Sequence, residues 1–339
     1  MTTPIKRFNT VGPCLPANHY MLPIRPRLSE IDKLIDGNFY FSFQAPPKSG
    51  KTTLLEALTG QINAQGQRYA LLCSLMSLRG INHRRYESMS TVVEQINEGM
   101  LTSQVDLIRQ KADLYNTRPG MDDPSRKVKR ILNYLCEDLD KELVVFFDEA
   151  DSLTGLPLIT FLSQIRDGYN LRHLPGNRFP SSIALVGLHH VRDYTNNNYP
   201  HEERAHQVSP FYVNKRSLTL ANFTESEIKE LYQQHTEASA QVFEPSAVTR
   251  AWSWSEGQPR LVNALADQVI SEDLNNNYSV NITAGHIDQA AENLLLRQET
   301  HLDSLFERLK EPRVRRVMEP VLIGAPRWSD RVLDDDIQY

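Results

Sequence analysis

The stretch from Phe41 to Leu55, FSFQAPPKSGKTTLL, holds side chains whose types and spacing suit the binding of a phosphate. Lys51 supplies a full positive charge for the β and γ phosphates, and the Thr52 hydroxyl can ligate Mg²⁺. Backbone N–H groups at the start of a helix favour an anion at the same place. An apolar, β-prone run precedes the loop and a helix-compatible segment follows it, which is the context that a phosphate-binding P-loop requires.

One position departs from the P-loop pattern G-x-x-x-x-G-K-[ST], because Ala45 replaces the first glycine. Alanine resists positive φ, so Ala45 must adopt an ordinary backbone angle. Pro46 and Pro47 stiffen the loop and donate no N–H. The alternative is a chance Gly-Lys-Thr in a surface loop, which the flanking strand and helix disfavour. The residues expected to bind the phosphates of a nucleotide are Ala45, Pro46, Pro47, Lys48, Ser49, Gly50, Lys51, Thr52 and Thr53.

A second informative stretch is Leu143 to Asp151, LVVFFDEAD. Its apolar run of β-formers predicts a strand that is buried on both faces, as in a parallel sheet covered by helices. Carboxylates directly after such a strand are costly unless they serve a cation or a water molecule. We expect Asp148 to organise Mg²⁺ together with Thr52, and Glu149 to orient water as the catalytic base. The alternative is that the two acids only cap the next helix.

The composition bounds the possible classes of protein. A length of 339 residues suggests two or three domains, and hydrophobic and charged contents of 40% and 23% are ordinary for a globular protein. The net charge of −5 gives no global attraction to nucleic acid. Three widely spaced cysteines predict a reduced, cytosolic compartment, and no apolar run is long enough for a signal peptide or a membrane span.

The remaining pattern predicts the elements that position these motifs. A proline-rich arm leads to a short helix that ends near Ile35, with Ser29 as its N-cap. Apolar spacing predicts two helices before the acidic strand and one after it, then a further buried strand and a short last strand. These elements are helices over 88–115, 124–140 and 156–169, and strands over 182–188 and 217–220.

The character of the chain changes at Thr224, which forms a capping box with Glu227 and opens a helical region. Helices are expected there over 225–239, 245–254, 258–272 and 284–309. Pro259 follows Gly257 closely and would open the third of them, since proline favours the first helical turn. The expected domains are an N-terminal extended collar (1–36), a P-loop core (37–221), a helical lid (222–310) and the start of a further, truncated module (311–339).

Two groups of basic residues give thin support for a nucleic-acid partner. One is Arg126, Lys127, Lys129 and Arg130, which on an amphipathic helix usually forms a solvated face, and the other is Arg313, Arg315 and Arg316.

With these residues in place, the chain resembles the AAA+ ATPases, and within them the STAND and origin-recognition-like group of bacterial ATP-binding proteins. The resemblance runs from about Phe8 to Leu322. It implies a five-stranded parallel sheet in the order 5-1-4-3-2 followed by a helical lid. The segments that carry it are APPKSGKT, LVVFFDEAD, ALVGLHHVRDY, SPFYVNKRSLTLANFTESEI and EGQPRLVNALA.

The resemblance also implies roles for three more residues. It places Pro259 against the adenine, Arg260 as the sensor-2 arginine, and His189 at a strand tip where it would sense the γ-phosphate. The cofactors that the resemblance implies are ATP and Mg²⁺. Ring motors of this superfamily carry an arginine finger before the fifth strand, where this chain reads Ser209-Pro210-Phe211-Tyr212 without an arginine. That departure favours a slow, nucleotide-controlled switch over a processive motor.

The expected function is therefore Mg²⁺-dependent binding and slow hydrolysis of ATP as a conformational switch. The catalytic residues would be Glu149, Lys51 and His189. A protein partner or self-association is possible in this function, and a membrane partner is not expected. The alternative is an ATP-regulated DNA-binding regulator or loader in which nucleotide only sets the conformation. A scaffold that binds no nucleotide is disfavoured because both motifs are intact.

Overall fold

The core of the computed structural model is a sheet of five parallel strands in the order β2-β3-β4-β1-β5, which confirms the predicted order. The structure describes residues 5–23, 25–44, 49–80, 85–187 and 214–297. The strands are β1 (Tyr40–Gln44), β2 (Tyr69–Ser74), β3 (Leu143–Asp148), β4 (Ser182–Gly187) and β5 (Asn214–Thr219).

Helices cover both faces of this sheet, which explains why its central strands are mostly apolar and almost fully buried. In β3, Val144 and Phe146 face a cluster built with the helices that flank the P-loop, whereas Val145 and Phe147 face the other helical layer. All six residues of β3 and all six of β4 are buried. Two-sided burial is what the unbroken LVVFF run predicted.

Six α-helices are described in this part of the chain. They are α1 (Arg25–Asp36), α2 (Lys51–Gln65), α3 (Arg85–Leu101), α4 (Asp106–Lys111), α5 (Lys127–Asp138) and α6 (Gly155–Leu171). Short 3₁₀ turns lie at Met76–Gly80, Leu114–Thr117 and Ala150–Ser152.

Two of the sequence predictions are wrong in detail. The helix expected over 88–115 is interrupted after Leu101, where the Ser103 hydroxyl accepts the N–H of Val105 at 3.2 Å and competes with helical pairing. Ser29 is not an N-cap, because α1 already begins at Arg25. Pro26 in the first turn is the start signal that the prediction overlooked.

The first three helices of the helical region begin within one residue of their predicted starts, whereas the helix expected over 284–309 ends at Leu296, and residues 298–309 lie outside the described residues. It contains α7 (Glu225–Ser239), α8 (Pro245–Ser255), α9 (Pro259–Asp267), a π-helical turn (Gln268–Asp273) and α10 (Ala284–Leu296). The capping box of Thr224 and Glu227 is confirmed, and an unpredicted second box joins Thr283 and His286. The predicted helix over 258–272 changes to π geometry in its second half.

The contacts within the chain divide it into two compact units. Among the described residues, the core unit holds 11–223 and Gln258–Arg260, and the helical unit holds 5–10, 224–257 and 261–297. None of the helices in the described ranges is long and apolar enough to cross a membrane.

Several predicted features lie outside the described residues. They are Ala45 to Lys48 of the P-loop, His189 with the polar loop that follows it, Ser209 to Tyr212, and the module expected over 311–339 with its three arginines.

Candidate functional site

The P-loop helix and the acidic strand meet at the carboxyl edge of the sheet. Thr52, in the first turn of α2, donates from Oγ1 to Asp148 Oδ2 at 2.8 Å. Asp148 ends β3 and is only 3% exposed. Its other carboxylate oxygen, Oδ1, accepts the N–H of Glu149 at 2.9 Å. Both oxygens of this carboxylate are therefore fixed, and one of them is joined to the threonine of the Gly-Lys-Thr sequence.

The start of α2 leaves its first backbone N–H groups without a side-chain cap. Gly50 precedes the helix with a φ of 84° and ψ of 21°, a left-handed conformation that glycine adopts without strain. No acidic side chain lies in the first turn, and Lys51 is half-buried there. Helix N-termini of this kind favour anions because their N–H groups and dipole point outward.

The hydroxyl group of Ser49, next to the start of α2, indicates that a ligand fits here. Its side chain is 5% exposed, and its Oγ has no hydrogen-bond partner in the structure. Burying an unpaired hydroxyl costs free energy, so such atoms in native proteins usually await a ligand or water. A buried hydroxyl beside an uncapped helix start, with a lysine and a Thr–Asp pair, fits a magnesium-bound polyphosphate.

Glu149 faces the same edge and is held by an arginine. Arg79 NH2 lies 3.3 Å from Glu149 Oε2, and Arg79 Nε donates to Ser152 Oγ at 3.4 Å. Arg79 belongs to the short 3₁₀ turn that follows β2, so it comes from a neighbouring strand of the sheet. Arg79 could not be predicted from the sequence as a partner of Glu149, since no motif or spacing connects the two residues.

A third carboxyl group lies near the Thr52–Asp148 pair. Glu56 follows Thr52 by four positions in α2, which places it on the same face of the helix. Burial raises the pKa of Glu56, and the charge of Asp148 adds to that rise. No cluster of three metal-binding side chains occurs in the described ranges. A Mg²⁺ ion here would therefore take Thr52 and Asp148 from the protein and its other ligands from phosphate and water.

The N-terminal arm also reaches α2. The N–H of Cys14 donates to Thr53 Oγ1 at 2.9 Å, directly after Thr52 in the sequence. No motif in the sequence predicts this contact, because proline-rich segments lack a periodic pattern. The first turn of α2 is thus contacted by a segment that precedes it in the chain.

Of the lid residues implied by the family resemblance, Pro259 is buried at the first position of α9 and Arg260 is half-buried beside it. Both fall in the compact unit that holds the P-loop. The structure thus brings Thr52, Asp148 and Glu149 together by direct contacts. Pro259 and Arg260 share their unit, and His189 lies outside the described residues.

The basic cluster on α5 is engaged within the chain. Arg126 pairs with Asp123 at 3.7 Å and Lys129 pairs with Asp167. The other two members contact uncharged partners: Lys127 Nζ donates to Ser90 Oγ at 3.1 Å, and Arg130 NH1 donates to the Pro119 carbonyl at 2.7 Å. All four basic side chains of this cluster therefore have partners within the chain.

No family model matches the chain, and no curated protein matches it. Solved structures do. The Walker-type ATPase PABY2304 of Pyrococcus abyssi matches with a TM-score of 0.58 and 17% identity, over 95% of this chain and 85% of that one. The ORC2 protein of Aeropyrum pernix, solved as ADPNP–ADP complexes, matches with a TM-score of 0.53 and 15% identity, over 89% and 73%.

A Thermotoga maritima RuvB Holliday junction branch migration motor matches with a TM-score of 0.47 and 14% identity, over 89% of this chain and 81% of that one. At that score the likeness supports no argument. The first two matches have identities of only 17% and 15%, so they are evidence of a shared fold and of nothing more. Together with the strand order and the position of the P-loop helix, they show that this chain has the fold of the AAA+ P-loop ATPases.

Proposed function

We propose that this chain binds ATP with Mg²⁺ at the carboxyl edge of its sheet and hydrolyses it slowly, so that nucleotide state sets its conformation. The observation that carries the proposal is the 2.8 Å hydrogen bond between Thr52 Oγ1 and Asp148 Oδ2. It joins the two motifs that would each handle the metal ion, across a sequence separation of 96 residues. The finer assignment to STAND-type switches, and to the cytoplasm, belongs to the same proposal.

The polar residues of the two motifs each have a role in the proposed reaction. Lys51 and the N–H groups at the start of α2 bind the β and γ phosphates, while Thr52 and Asp148 hold the metal ion. The Mg²⁺ ion held there would supply positive charge that offsets the charge of the phosphates during displacement at the γ-phosphorus. Glu149 accepts a hydrogen bond from the attacking water and orients it, and ADP and phosphate are released.

The remaining residues would read the nucleotide. Pro259 would contact the adenine, Arg260 the phosphates, and His189 would sense the γ-phosphate. Support for a nucleotide ligand comes from the neighbouring structures, one named as a Walker-type ATPase and another solved as ADPNP–ADP complexes. ATP and ADP are the proposed ligands, and a protein partner or self-association would use the resulting change in conformation.

Two substitutions test this function. Lys51→Ala should abolish ATP binding in calorimetric titration with Mg²⁺, because the only lysine in the first turn of α2 is lost. Glu149→Gln should bind ATP as wild type does but stop phosphate release, since the amide cannot act as a base. Matched controls are Lys141→Ala and Glu142→Gln, which lie just before β3, at its opposite end from Asp148. Equal hydrolysis rates in wild type and Glu149→Gln would refute the catalytic assignment.

The alternative function is that of a DNA-binding regulator. The basic cluster on α5 adds no support for it, because all four basic side chains already have partners within the chain. Its test is binding to duplex DNA over a range of salt concentrations. A steep decline of affinity with salt would favour it, because phosphate contacts release counterions. Absence of binding at low salt would dismiss it.

A further inference from the structure

A carboxylate that the proposed reaction does not use, that of Asp151, lies over the end of β4. Asp151 belongs to the 3₁₀ turn Ala150–Ser152, which directly follows Glu149. A Cβ placed on Gly187, the last residue of β4, would lie 2.9 Å from Asp151 Oδ1 and 3.4 Å from its Cγ. The lack of a side chain at Gly187 therefore leaves the space that this carboxylate occupies.

The order of the sheet places this carboxylate between the two motifs. β4 lies between β3, which ends in Asp148, and β1, which leads into the P-loop. Gly187 is paired with Gln44, the last residue of β1. The hydrogen bond from Thr52 to Asp148 thus crosses the end of β4. Neighbouring strands are ~4.8 Å apart, so the end of β4 is about one strand spacing from each motif.

One oxygen of this carboxylate lacks a hydrogen bond. Asp151 Oδ1 is buried and has no hydrogen-bond partner among the described residues. The backbone of its turn is fixed, because the N–H of Ser152 donates to the Glu149 carbonyl at 2.8 Å and the N–H of Leu153 donates to the Ala150 carbonyl at 3.2 Å. A buried carboxylate oxygen without a donor costs free energy, so a ligand or an ordered water is expected beside it.

The chemistry of a carboxylate limits what this ligand can be. An ionised carboxylate only accepts hydrogen bonds, and the oxygens of an ionised phosphate also only accept them. Asp151 therefore cannot bind the γ-phosphate directly. A metal ion is disfavoured as its partner, since the described ranges contain no group of three His, Cys, Asp or Glu side chains that could hold one. A water molecule fits, because it can donate one hydrogen to Asp151 and the other to a second acceptor.

We propose that Asp151 orients the attacking water together with Glu149. With one hydrogen of the water donated to each carboxylate, a lone pair of the water oxygen is left to face the γ-phosphorus. Glu149 takes one proton as the new O–P bond forms, and the electron pair of the broken O–P bond leaves with ADP. Asp151 takes no proton and keeps its hydrogen bond throughout. The inference rests on the proposed function, since it concerns the same hydrolysis of ATP.

The first test removes the acceptor and then restores it. Asp151→Ala should lower the single-turnover rate of ATP hydrolysis about tenfold to 100-fold, because the water is no longer held in one orientation. Asp151→Asn should recover most of that rate, since its amide oxygen can accept the same hydrogen. Neither variant should weaken ATP binding in calorimetric titration, because Asp151 contacts the water and not the nucleotide. Asp140→Ala, before the opposite end of β3, is the matched control and should keep the wild-type rate.

The second test displaces the carboxylate without removing it. The methyl group of Gly187→Ala would push Asp151 Oδ1 aside, so the hydrolysis rate should fall towards that of Asp151→Ala. In the double variant Gly187→Ala/Asp151→Ala, the methyl group should cause no further loss, because the carboxylate that it displaces is already gone. Such non-additivity is the signature of two positions that act through one contact.

The outcomes separate the two proposals. A wild type that hydrolyses no ATP would refute the proposed function and this inference with it. If Glu149→Gln stops hydrolysis while Asp151→Ala keeps the wild-type rate, the proposed function stands and the role of Asp151 is overturned. A loss of rate in Asp151→Ala that comes with equally weakened ATP binding, or that Asp151→Asn does not recover, would also overturn that role.

Discussion

Glu149 occupies a backbone conformation that glutamate rarely adopts, with a φ of 55° and ψ of 41°. A left-handed conformation costs a residue with a side chain roughly 1–2 kcal/mol. The surroundings impose it, because the N–H of Glu149 donates to Asp148 Oδ1 and its carbonyl accepts the N–H of Ser152 at 2.8 Å. Strain of this kind persists where neighbouring contacts fix it, and it often marks a functional residue.

The ion pair between Arg79 and Glu149 leads to a prediction about turnover. The pair engages the carboxylate that would orient water, so Arg79→Ala should free it and raise kcat while leaving ATP affinity unchanged. The Arg79 side chain is 54% exposed. Exposed pairs of this kind contribute at most ~1 kcal/mol, so the increase should be no more than about fivefold. Steady-state phosphate release and ATP titration measure the two quantities separately.

Arg79→Lys is the control for this prediction, since it keeps a positive charge that can still pair with Glu149 and should stay near the wild-type rate. An unchanged kcat in Arg79→Ala, with ATP binding intact, would show that the pair has no influence on the base.

The residues of the site differ in how far the sequence could reveal them. Thr52 and Asp148 were predicted to act together, because each lies at a fixed place in a recognisable motif. Arg79 and Cys14 were not, because their partners are Glu149 and Thr53, far away in the sequence. Only the folded sheet and the docked arm create those contacts, and no local pattern encodes them.

At the scale of elements, helices with strong apolar periodicity were predicted well, whereas a helix end that depends on hydroxyl side chains was not. The boundaries of α6 and α7 follow from apolar spacing and from a capping box that the structure confirms. The break after Leu101 escaped prediction because apolar spacing continues through it, while Thr102 and Ser103 compete for backbone groups. The helix α1 begins before Ser29, because Pro26 already favours the first helical turn.

Two glycines in helices provide a paired test of how closely the layers pack. A Cβ on Gly99, in α3, would lie 2.5 Å from the Leu72 carbonyl oxygen of β2. A carbonyl within a sheet cannot move aside easily, so Gly99→Ala should destabilise the fold by about 1–3 kcal/mol. Urea unfolding measures the change in the free energy of unfolding.

Gly60→Ala in α2 is the matched control, since its Cβ would meet nothing closer than 3.5 Å. Alanine is favoured over glycine inside a helix, so this variant should gain up to ~1 kcal/mol. Equal effects of the two substitutions would mean that α3 and β2 are less tightly packed than the structure indicates.

At the scale of the whole molecule, a ligand that binds only the folded state must stabilise it. We expect Mg²⁺·ATP at 100 times its Kd to add ~2.7 kcal/mol to the stability of wild type, seen as a higher Tm in calorimetry. Lys51→Ala should show no such increase, while Lys141→Ala should behave as wild type. A rise in Tm of equal size in Lys51→Ala would place the ATP site elsewhere on the protein.

The strand order has a consequence for how the polypeptide is made. The hydroxyl of Tyr40, at the start of β1, donates to the carbonyl of Pro180, 140 residues later in the chain, and the described strands that pair with β1 are β4 and β5. Among the described strands, β1 comes first in the chain, yet it pairs with β4 and β5, which are synthesised last. At a synthesis rate of ~5–20 residues per second, β1 is without its pairing partners for many seconds. In the cell, holdase chaperones would be expected to shelter the nascent chain during that interval.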